Sequence, residues 1–449
     1  MTPDLIARYD QRIPRYTSYP TAPHFTPAVG HDTYAAWLGG LPAGTEASLY
    51  VHVPFCAELC LYCGCHTTVA RRYQPVAAYV DLLEREIDLV ASALSAPLDL
   101  RHVHWGGGTP TILQAADFLR LMDRVRDRLG IAAGAEIAVE IDPRTMTPAR
   151  IEALAAGGVN RASLGVQSFD ANVQQTIRRI QSFADTRRVA DGLRQAGIAA
   201  INLDIMYGLP FQTVENVVST VETALRLDPD RISLFGYAHV PWMKRHQALL
   251  PEDVMPRADE RFAQFESAAA RIVEAGYRRV GLDHFAKRDD PLSQALSGGR
   301  LHRNFQGYTT DGAPVLIGLG ASAISNMPGG YAQNSTATPD YRAAILAGRF
   351  ATAKGLVLTD DDRLRGEVIE RLMCDLSVDL GEVCARHKVD GSYFAAEIAR
   401  IDDLAADRLA VRQGMRIEVP EAARPLVRAL CAAFDTRLAK TAGQHAPAV

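Results

Sequence analysis

Two kinds of segment alternate from about residue 46 onward. Short apolar runs predict buried strands, and they occupy residues 48–53, 101–105, 136–141, 161–166, 201–206 and 231–237. Longer segments separate them, and in residues 77–94 and 214–227 the apolar positions recur at helical spacing. Strands that alternate with helices predict an α/β fold built on a parallel sheet. This spacing is compatible with a barrel and with an open doubly wound sheet.

The pattern changes outside this region. The first residues are rich in Pro and Tyr with little periodicity, so we expect an arm that packs against another part of the chain. Near the C-terminus, charged helices precede a hairpin candidate that turns at Gln413 and Gly414, which predicts a mainly helical, winged-helix-like domain. The expected parts are an arm (1–45), the strand-helix domain (46–290), a glycine-rich segment that completes the site (291–355) and the helical domain (356–449).

Polar and glycine-rich clusters directly follow the predicted strands. Examples are the segments PFCAELC, GGGTP and EIDPR, each at the C-terminal end of an apolar run. In both α/β architectures this edge of the sheet carries the active site. We therefore expect the functional residues to meet there.

Composition excludes several function classes. The 449 residues include 48 Lys plus Arg and 52 Asp plus Glu, without a concentrated basic stretch, which argues against nucleic-acid binding as the main role. No apolar run approaches the roughly 18 residues of a membrane-spanning helix. The N-terminal sequence has charged residues where a signal peptide needs an apolar core, so we expect a cytoplasmic protein.

The cysteines are the strongest chemical signal. Four of the seven are crowded into one loop, at Cys56, Cys60, Cys63 and Cys65. Structural zinc usually takes two separated ligand pairs, whereas one compact loop favours an iron-sulfur cluster. Three cysteines would hold three irons of a [4Fe-4S] cluster and leave the fourth open to a small molecule. A zinc knuckle or inert thiols are the alternatives. We expect the remaining cysteines to be buried small hydrophobes: Cys374, Cys384 and Cys431.

The cysteine loop carries a resemblance to a known family. Cys56, Cys60 and Cys63 with the aromatic Tyr62 resemble the signature of the radical S-adenosylmethionine (SAM) enzymes. Further segments resemble the oxygen-independent coproporphyrinogen III oxidases, among them residues 14–22, 50–65, 104–111, 140–144, 202–213 and 301–310. The resemblance extends from the arm to FDTRL near the C-terminus. It implies a partial (βα)6 TIM-like radical SAM barrel.

The resemblance also implies a reaction. The family converts two propionate side chains of coproporphyrinogen III into the vinyl groups of protoporphyrinogen IX, releasing two CO2, in haem biosynthesis without O2. The implied cofactors are one [4Fe-4S] cluster and SAM, with a second SAM molecule nearby. An external low-potential electron donor, no nucleic acid or membrane partner, and a monomeric state are expected. A haem chaperone and a haem-modifying radical SAM relative are the alternatives, and PRYTSYPTA in the arm favours the oxidase because that segment looks absent from the chaperones.

Several residue roles follow from the resemblance. It implies that the cluster ligands are Cys56, Cys60 and Cys63, and that Cys65 is not a ligand. The implied SAM contacts are Tyr50, Tyr62, Gly107, Gly108, Thr109, Glu140, Gln167, Arg179 and Asp204, and those of the second SAM are Ala238 and Ile324. Tyr50 and Glu140 are the implied catalytic residues. Because the substrate is acidic, Arg15 and Arg303 are candidates to bind it.

Other roles remain open from the residues alone. Glu140 would accept hydrogen bonds from ribose hydroxyls, or else pair with Arg144 or Arg161. Arg179 suits the methionyl carboxylate, although a one-residue shift would exchange it with Arg178. Three histidines in apolar or motif segments are expected to be structural, namely His52, His104 and His284.

Overall fold

The structure, a computed structural model, describes residues 3–440. Its strands are β1 (Glu46–Val53), β2 (Phe55–Cys56), β3 (Thr68–Val69), β4 (Asp99–Gly107), β5 (Ile131–Ile141), β6 (Arg161–Gln167), β7 (Ala200–Tyr207), β8 (Arg231–Gly236), β9 (Arg278–Val280), β10 (His284–Ala286), β11 (His302–Asn304), β12 (Gly307–Thr309), β13 (Val315–Leu319), β14 (Ile324–Met327), β15 (Gly330–Asn334), β16 (Thr352–Val357), β17 (Ser377–Asp379), β18 (Val411–Gln413) and β19 (Arg416–Glu418). Its α-helices are α1 (Pro3–Tyr9), α2 (His31–Gly39), α3 (Gln74–Ala93), α4 (Ala115–Leu129), α5 (Pro148–Ala156), α6 (Ala171–Thr176), α7 (Phe183–Gln195), α8 (Val214–Leu225), α9 (Ala258–Glu274), α10 (Pro291–Ser297), α11 (Thr338–Leu346), α12 (Asp360–Asp375), α13 (Leu380–His387), α14 (Ala395–Ala406) and α15 (Val427–Phe434).

The predicted strands form the centre of one large sheet. Strands β1, β4, β5, β6, β7 and β8 lie side by side in this order, and neighbouring strands are parallel. Each coincides with one of the apolar runs of the sequence, so the α/β prediction is confirmed. The parallel strands follow chain order without the reversal of a doubly wound sheet, and β13 beyond β1 and β10 beyond β8 leave the sheet unclosed, which is the order expected of a partial barrel.

The crossover helices cover this sheet with the apolar faces that the periodicity of the sequence predicts. In α8, the buried residues Val217, Val221 and Ala224 recur at helical spacing and face the main core. The helix begins after Thr213, whose hydroxyl accepts a hydrogen bond from the backbone N–H of Asn216. None of the helices in the described residues combines the length and apolarity that crossing a bilayer requires.

The segment after the barrel extends the same sheet. Strand β13 runs parallel to β1, and β14, β15 and β16 continue in antiparallel order. Strand β16 (Thr352–Val357) crosses the boundary expected at residue 355, because its backbone pairs with β15 to the end of the strand. The helical C-terminal part therefore begins with α12.

The N-terminal arm joins the two cores. Ile6, Ile13, Tyr16 and Tyr19 are buried in the hydrophobic core of the C-terminal helices, while α2 packs on the main core. Around that second core, β17, β19 and β18 form a small sheet. The predicted hairpin is present, with Gly414 at φ 62° in its turn, a backbone conformation that glycine adopts without strain. The isolated cysteines Cys374, Cys384 and Cys431 are buried, as expected.

Candidate active site

A cavity of about 490 Å³ lies at the C-terminal ends of the parallel strands. Most of the residues singled out from the sequence line it, although they lie far apart along the chain. They are Cys56, Cys60, Tyr62, Cys63, Gly107, Gly108, Thr109, Glu140, Gln167, Arg179, Asp204 and Ala238. Tyr50 and Ile324 do not line this cavity.

The cysteine loop leaves β1 and places three thiols along one wall. The hydroxyls of Thr67 and Thr109 lie 3.1 and 3.4 Å from Cys56 Sγ and donate to it. Burial raises the pKa of Cys56, and these two hydrogen bonds oppose the rise. Donors aimed at a sulfur stabilise its anionic form, which is the form that binds metal.

Cys63 and Cys65 differ in their environment. Interaction with the neighbouring thiol of Cys65, against the opposing effect of burial, lowers the pKa of Cys63 to about 7. The same interaction raises the pKa of Cys65 well above its ordinary value. Of the two thiols, Cys63 therefore has the lower pKa.

A buried ion-pair network lies beside Cys60. Asp142 accepts hydrogen bonds from Arg144 Nη2 at 2.6 Å and from Arg179 Nη1 at 3.2 Å. The same guanidinium groups lie 3.6 and 3.7 Å from Cys60 Sγ. Burial alone would raise the pKa of Asp142, but Arg144 and Arg179 lower it below its ordinary value. Two guanidinium groups therefore lie beside the sulfur of Cys60.

The two adjacent arginines lie in different environments. Arg179 is buried, whereas Arg178 has φ 54° and its side chain is exposed. Asp142 and Arg144 were not singled out from the sequence, although both lie in the quoted segment EIDPR. Their position directly after β5 was the signal that could have found them.

A segment far along the chain holds the backbone of the cysteine loop. Lys244 Nζ donates to the carbonyl of Cys65 at 2.8 Å, and His246 Nε2 donates to that of Cys63 at 2.8 Å. The fully buried Gln247 donates to the carbonyl of Tyr62 at 2.9 Å. Sequence reasoning missed this segment, because no motif or periodicity distinguishes it.

The glycines after β4 allow three parts of the chain to approach closely. A Cβ at Gly107, where φ is 119°, would lie 2.8 Å from the ring of His52. A Cβ at Gly108 would lie 2.7 Å from the carbonyl oxygen of Phe55, the residue before Cys56. Any side chain at Gly108 would therefore displace the start of the cysteine loop.

We accordingly expect Gly108→Ala to reduce cluster binding strongly, by roughly tenfold or more in iron retained after anaerobic reconstitution, since strain at a ligand loop costs several kcal/mol. Gly391→Ala is the matched control, because no atom lies within 4 Å of a Cβ built there. Iron and sulfide analysis of both variants provides the measurement. Wild-type iron content in Gly108→Ala would contradict the assigned steric role.

Glu140 lies at the cavity edge without an arginine partner. Its carboxylate oxygens accept from the backbone N–H of Gly107 at 3.2 Å and lie 3.1 Å from His104 Nε2. The alternative pairing with Arg144 or Arg161 is wrong, because Arg144 bonds to Asp142 and Arg161 bonds to Glu136. Glu140 is therefore left to accept hydrogen bonds from a ligand.

Tyr50 lies behind the glycines rather than in the cavity lining. Its hydroxyl is 3.0 Å from His52 Nδ1, while His52 Nε2 donates to the carbonyl of His66 at 2.9 Å. Since Nε2 carries the proton, Nδ1 accepts and Tyr50 donates. Burial lowers the pKa of His52 to about 4 and raises that of Tyr50 well above its ordinary value, so both groups are neutral.

The far side of the cavity is polar. Asp204 accepts hydrogen bonds from Ser163 at 2.9 Å and from Asn202 at 2.8 Å, and burial raises its pKa. Gln167 has φ 66°, a strained backbone conformation for a residue other than glycine, of the kind that clusters at functional sites. Both side chains face the cavity from the ends of neighbouring strands.

The two residues assigned to a second SAM molecule are separated. Ala238 lines the cavity, just after the end of β8. Ile324 begins β14, with β13 between it and β1, and it lies outside the cavity lining. His52, His104 and His284 all have hydrogen-bond partners, with His284 Nδ1 lying 2.8 Å from Asp283.

The donor set fits an iron-sulfur cluster. Three thiols share one cavity wall, with hydroxyl and guanidinium donors directed at two of the sulfurs. Within residues 3–440, no three His, Cys, Asp or Glu side chains are arranged to hold a single metal ion. Thiolates spread along a wall suit a cluster, in which each iron takes its own ligand.

Comparison with known proteins gives first the class and then the family. The model of the radical SAM superfamily matches residues 50–224, which contain the cysteine loop and most of the parallel strands. A solved structure of coproporphyrinogen III oxidase from Escherichia coli, described as a radical SAM enzyme, superimposes with a TM-score of 0.90 at 36% identity, covering 95% of this chain and 100% of that one. The fold and site are therefore those of a radical SAM protein.

Comparison with curated relatives narrows the assignment from the radical SAM class to one family. The oxygen-independent coproporphyrinogen III oxidase of Bradyrhizobium diazoefficiens is 51% identical over 450 residues, covering 100% of both chains. The protein of the same name from Escherichia coli K12 is 37% identical over 439 residues, covering 98% of this chain and 96% of that protein. This chain belongs to the oxygen-independent coproporphyrinogen III oxidase family.

Proposed function

We propose that this protein is a radical SAM oxidoreductase that decarboxylates two propionate side chains of coproporphyrinogen III to vinyl groups, giving protoporphyrinogen IX. One observation carries the proposal: the three predicted cluster ligands and all predicted contacts to the first SAM molecule except Tyr50 line one cavity. Relatives that cover the whole chain bear the name of this activity.

The cofactors follow from the class. A [4Fe-4S] cluster with SAM supplies abstraction of a hydrogen atom from a C–H bond that no side-chain base could deprotonate. Cys56, Cys60 and Cys63 would hold the cluster, leaving one iron for SAM. Tyr62 would pack on SAM, whose amino group would approach the backbone of Gly107 and Gly108.

The remaining SAM contacts are polar. Glu140 would accept hydrogen bonds from ribose hydroxyls, since no arginine neutralises it. Arg179 would hold the methionyl carboxylate while shared with Asp142. Thr109, Gln167 and Asp204 would complete the contacts. Tyr50 and Glu140 remain the proposed catalytic residues, with Tyr50 acting from behind the glycines.

The walls of the site protect a reactive intermediate. Leu61, Ile177 and Leu209 are buried in a hydrophobic cluster that backs the cysteine loop. The loop is also anchored to this cluster by the N–H of Leu61, which donates to the carbonyl of Ile177 at 2.9 Å. A dry, fixed wall excludes water and side reactions during radical chemistry.

Several finer points belong to the same proposal. Ala238 at the cavity wall supports a second SAM molecule, whereas Ile324 would reach it only from behind β13. An external low-potential electron donor, a monomeric state and a cytoplasmic location are also proposed. The haem chaperone and the haem-modifying relative remain the rival functions.

Anaerobic reconstitution tests the proposal. We expect the protein to bind roughly four irons, to cleave SAM when reduced, and to convert coproporphyrinogen III to protoporphyrinogen IX, measured by chromatography after oxidation. Stable haem binding without SAM cleavage would instead identify a chaperone. SAM cleavage with modification of haem, and without conversion of coproporphyrinogen III, would identify the haem-modifying relative.

A further inference from the structure

Four arginines from four separate parts of the chain meet at a small cavity of about 50 Å³. Arg15 comes from the arm, Arg261 from α9, Arg303 from β11 and Arg428 from α15. We call these four residues the arginine cluster. Arg428 is buried, Arg261 and Arg303 are partly buried, and Arg15 is exposed. Like charges brought together repel one another, so their convergence favours a compensating anion.

The protein supplies little of that compensation. Arg15 and Arg261 donate to the backbone carbonyls of Gly236 at 2.8 Å and Tyr237 at 2.9 Å. Arg303 donates to the carbonyl of Arg15 at 3.4 Å. Carbonyl oxygens carry no formal charge, and within residues 3–440 none of these three guanidiniums is hydrogen-bonded to a carboxylate.

Several donors of the arginine cluster have no hydrogen-bond acceptor among the described residues, although the Arg303 guanidinium lies 4.3 Å from the ring centroid of Tyr308. Nε and Nη1 of Arg303 and Nε of Arg261 are buried without a hydrogen-bond acceptor in the described residues. A buried guanidinium donor without an acceptor costs free energy comparable to a lost hydrogen bond. Such donors indicate that an external acceptor completes the site.

One carboxylate lies nearby and is already engaged. Asp283 is the acidic side chain among the described residues that line this small cavity. It bonds to His284, and although burial opposes the effect, His284, Arg303 and Arg15 lower the pKa of Asp283 to about 2. One negative charge among four positive charges leaves the site with a net positive charge.

The small cavity adjoins the proposed SAM site. Both cavities are lined by Arg15, Gly236, Tyr237 and Ala238. A ligand whose acidic group enters the arginine cluster would therefore extend toward the cysteine loop. Coproporphyrinogen III carries four propionates on a ring large enough to do so.

Resting on the proposed function, we propose that the arginine cluster binds a propionate carboxylate of coproporphyrinogen III that the reaction leaves in place. The retained propionate fixes the ring so that a propionate due for decarboxylation faces the SAM cavity. Arg261 and Arg428 thereby join Arg15 and Arg303 as substrate-binding residues.

The chemistry of decarboxylation indicates whether the arginine cluster binds a propionate that is retained or one that leaves as CO2. A propionate that leaves as CO2 gives up its negative charge as the C–C bond breaks. Guanidiniums around that carboxylate would stabilise the ground state more than the transition state and would slow the reaction. Guanidiniums around a retained carboxylate bind it equally well before and after the reaction. They therefore position the ring without stabilising the ground state over the transition state.

Porphyrin binding tests this assignment without relying on turnover. Coproporphyrin III and protoporphyrin IX are air-stable forms of substrate and product, and both carry the retained propionates. Binding of each, followed by fluorescence, is compared between the wild-type protein, Arg303→Gln and Arg15→Gln. We expect each variant to bind both porphyrins at least about tenfold more weakly, by a similar factor, and the wild-type protein to bind protoporphyrin IX dimethyl ester poorly.

The matched control is Arg187→Gln, an exposed arginine on α7 whose partner is Asp191. Weakening of coproporphyrin III alone would show that the cluster holds a departing propionate and would overturn the proposal, as would unchanged binding in both variants. Arg15 projects from the arm into the cavity, so Arg15→Gln decides the matter if Arg303→Gln fails to fold. If the wild-type protein binds neither porphyrin, the assignment of the arginine cluster is overturned, whereas the absence of SAM cleavage and of coproporphyrinogen III conversion would overturn the proposed function.

Discussion

Replacing Cys56, Cys60 or Cys63 with serine is expected to abolish both the iron-sulfur cluster and SAM cleavage. A serine hydroxyl is far less acidic than a thiol and binds iron poorly at neutral pH, so it cannot replace a thiolate ligand. Hydroxyl donors face Cys56, guanidiniums face Cys60, and the Cys65 thiol lowers the pKa of Cys63 to about 7. Iron and sulfide content, the visible absorption of the cluster, and deoxyadenosine release provide the measurements.

Cys65→Ser is the matched control for this series. Interaction with Cys63 raises the pKa of Cys65 well above its ordinary value, so Cys65 is poorly suited to bind iron as a thiolate, and a serine hydroxyl occupies a similar volume. We therefore expect the variant to retain most of its iron. Loss of the cluster in Cys65→Ser would overturn the three-ligand assignment, and zinc in place of iron in the wild-type protein would do the same.

The second large effect is expected from replacing Arg179, and the adjacent Arg178 provides the control. Arg179→Gln removes a buried guanidinium that contacts Asp142, Cys60 and the carbonyl of Gly165, the last at 2.7 Å. Breaking a buried ion pair costs about 3–5 kcal/mol, although Arg144 continues to neutralise Asp142. We expect lower thermal stability together with weaker SAM binding. Arg178→Gln, on an exposed side chain, should leave both close to wild type.

SAM affinity, measured at equal iron content, distinguishes a role of Arg179 in binding SAM from a purely structural role. A charge-assisted contact with the methionyl carboxylate contributes about 1.5–3 kcal/mol, or up to roughly 100-fold in the dissociation constant. Equilibrium dialysis with reconstituted protein measures it, and Arg179→Lys should recover part of the loss by restoring the charge. If Arg179→Gln binds SAM as tightly as the wild-type protein, Arg179 only supports the loop.

The sequence predicted the sheet well because each parallel strand is itself a short run of apolar residues. The apolar runs at 161–166 and 201–206 coincide with β6 and β7 almost to the residue. By contrast, β16 crosses an expected boundary, since the end of a strand depends on the partner available for pairing rather than on its own residues. Helix α1 also escaped prediction, because its packing on the C-terminal core comes from residues about 400 positions away, as in the bond between Tyr9 and Asp407.

In the candidate site, too, some residues were predictable from the sequence and others were found only in the tertiary structure. The spacing of the cysteine loop predicted a cluster there, and the resemblance to the radical SAM enzymes predicted which three thiols would bind it, together with the aromatic residue beside them and the glycines after β4. Only the tertiary structure selected Arg179 over Arg178, freed Glu140 from its arginine alternatives and brought Gln247 to the loop. It also gathered the arginine cluster from the arm, the barrel and the C-terminal helix. Spacing along the chain encodes contacts within a loop, whereas burial and charge balance between distant elements exist only once those elements have packed together.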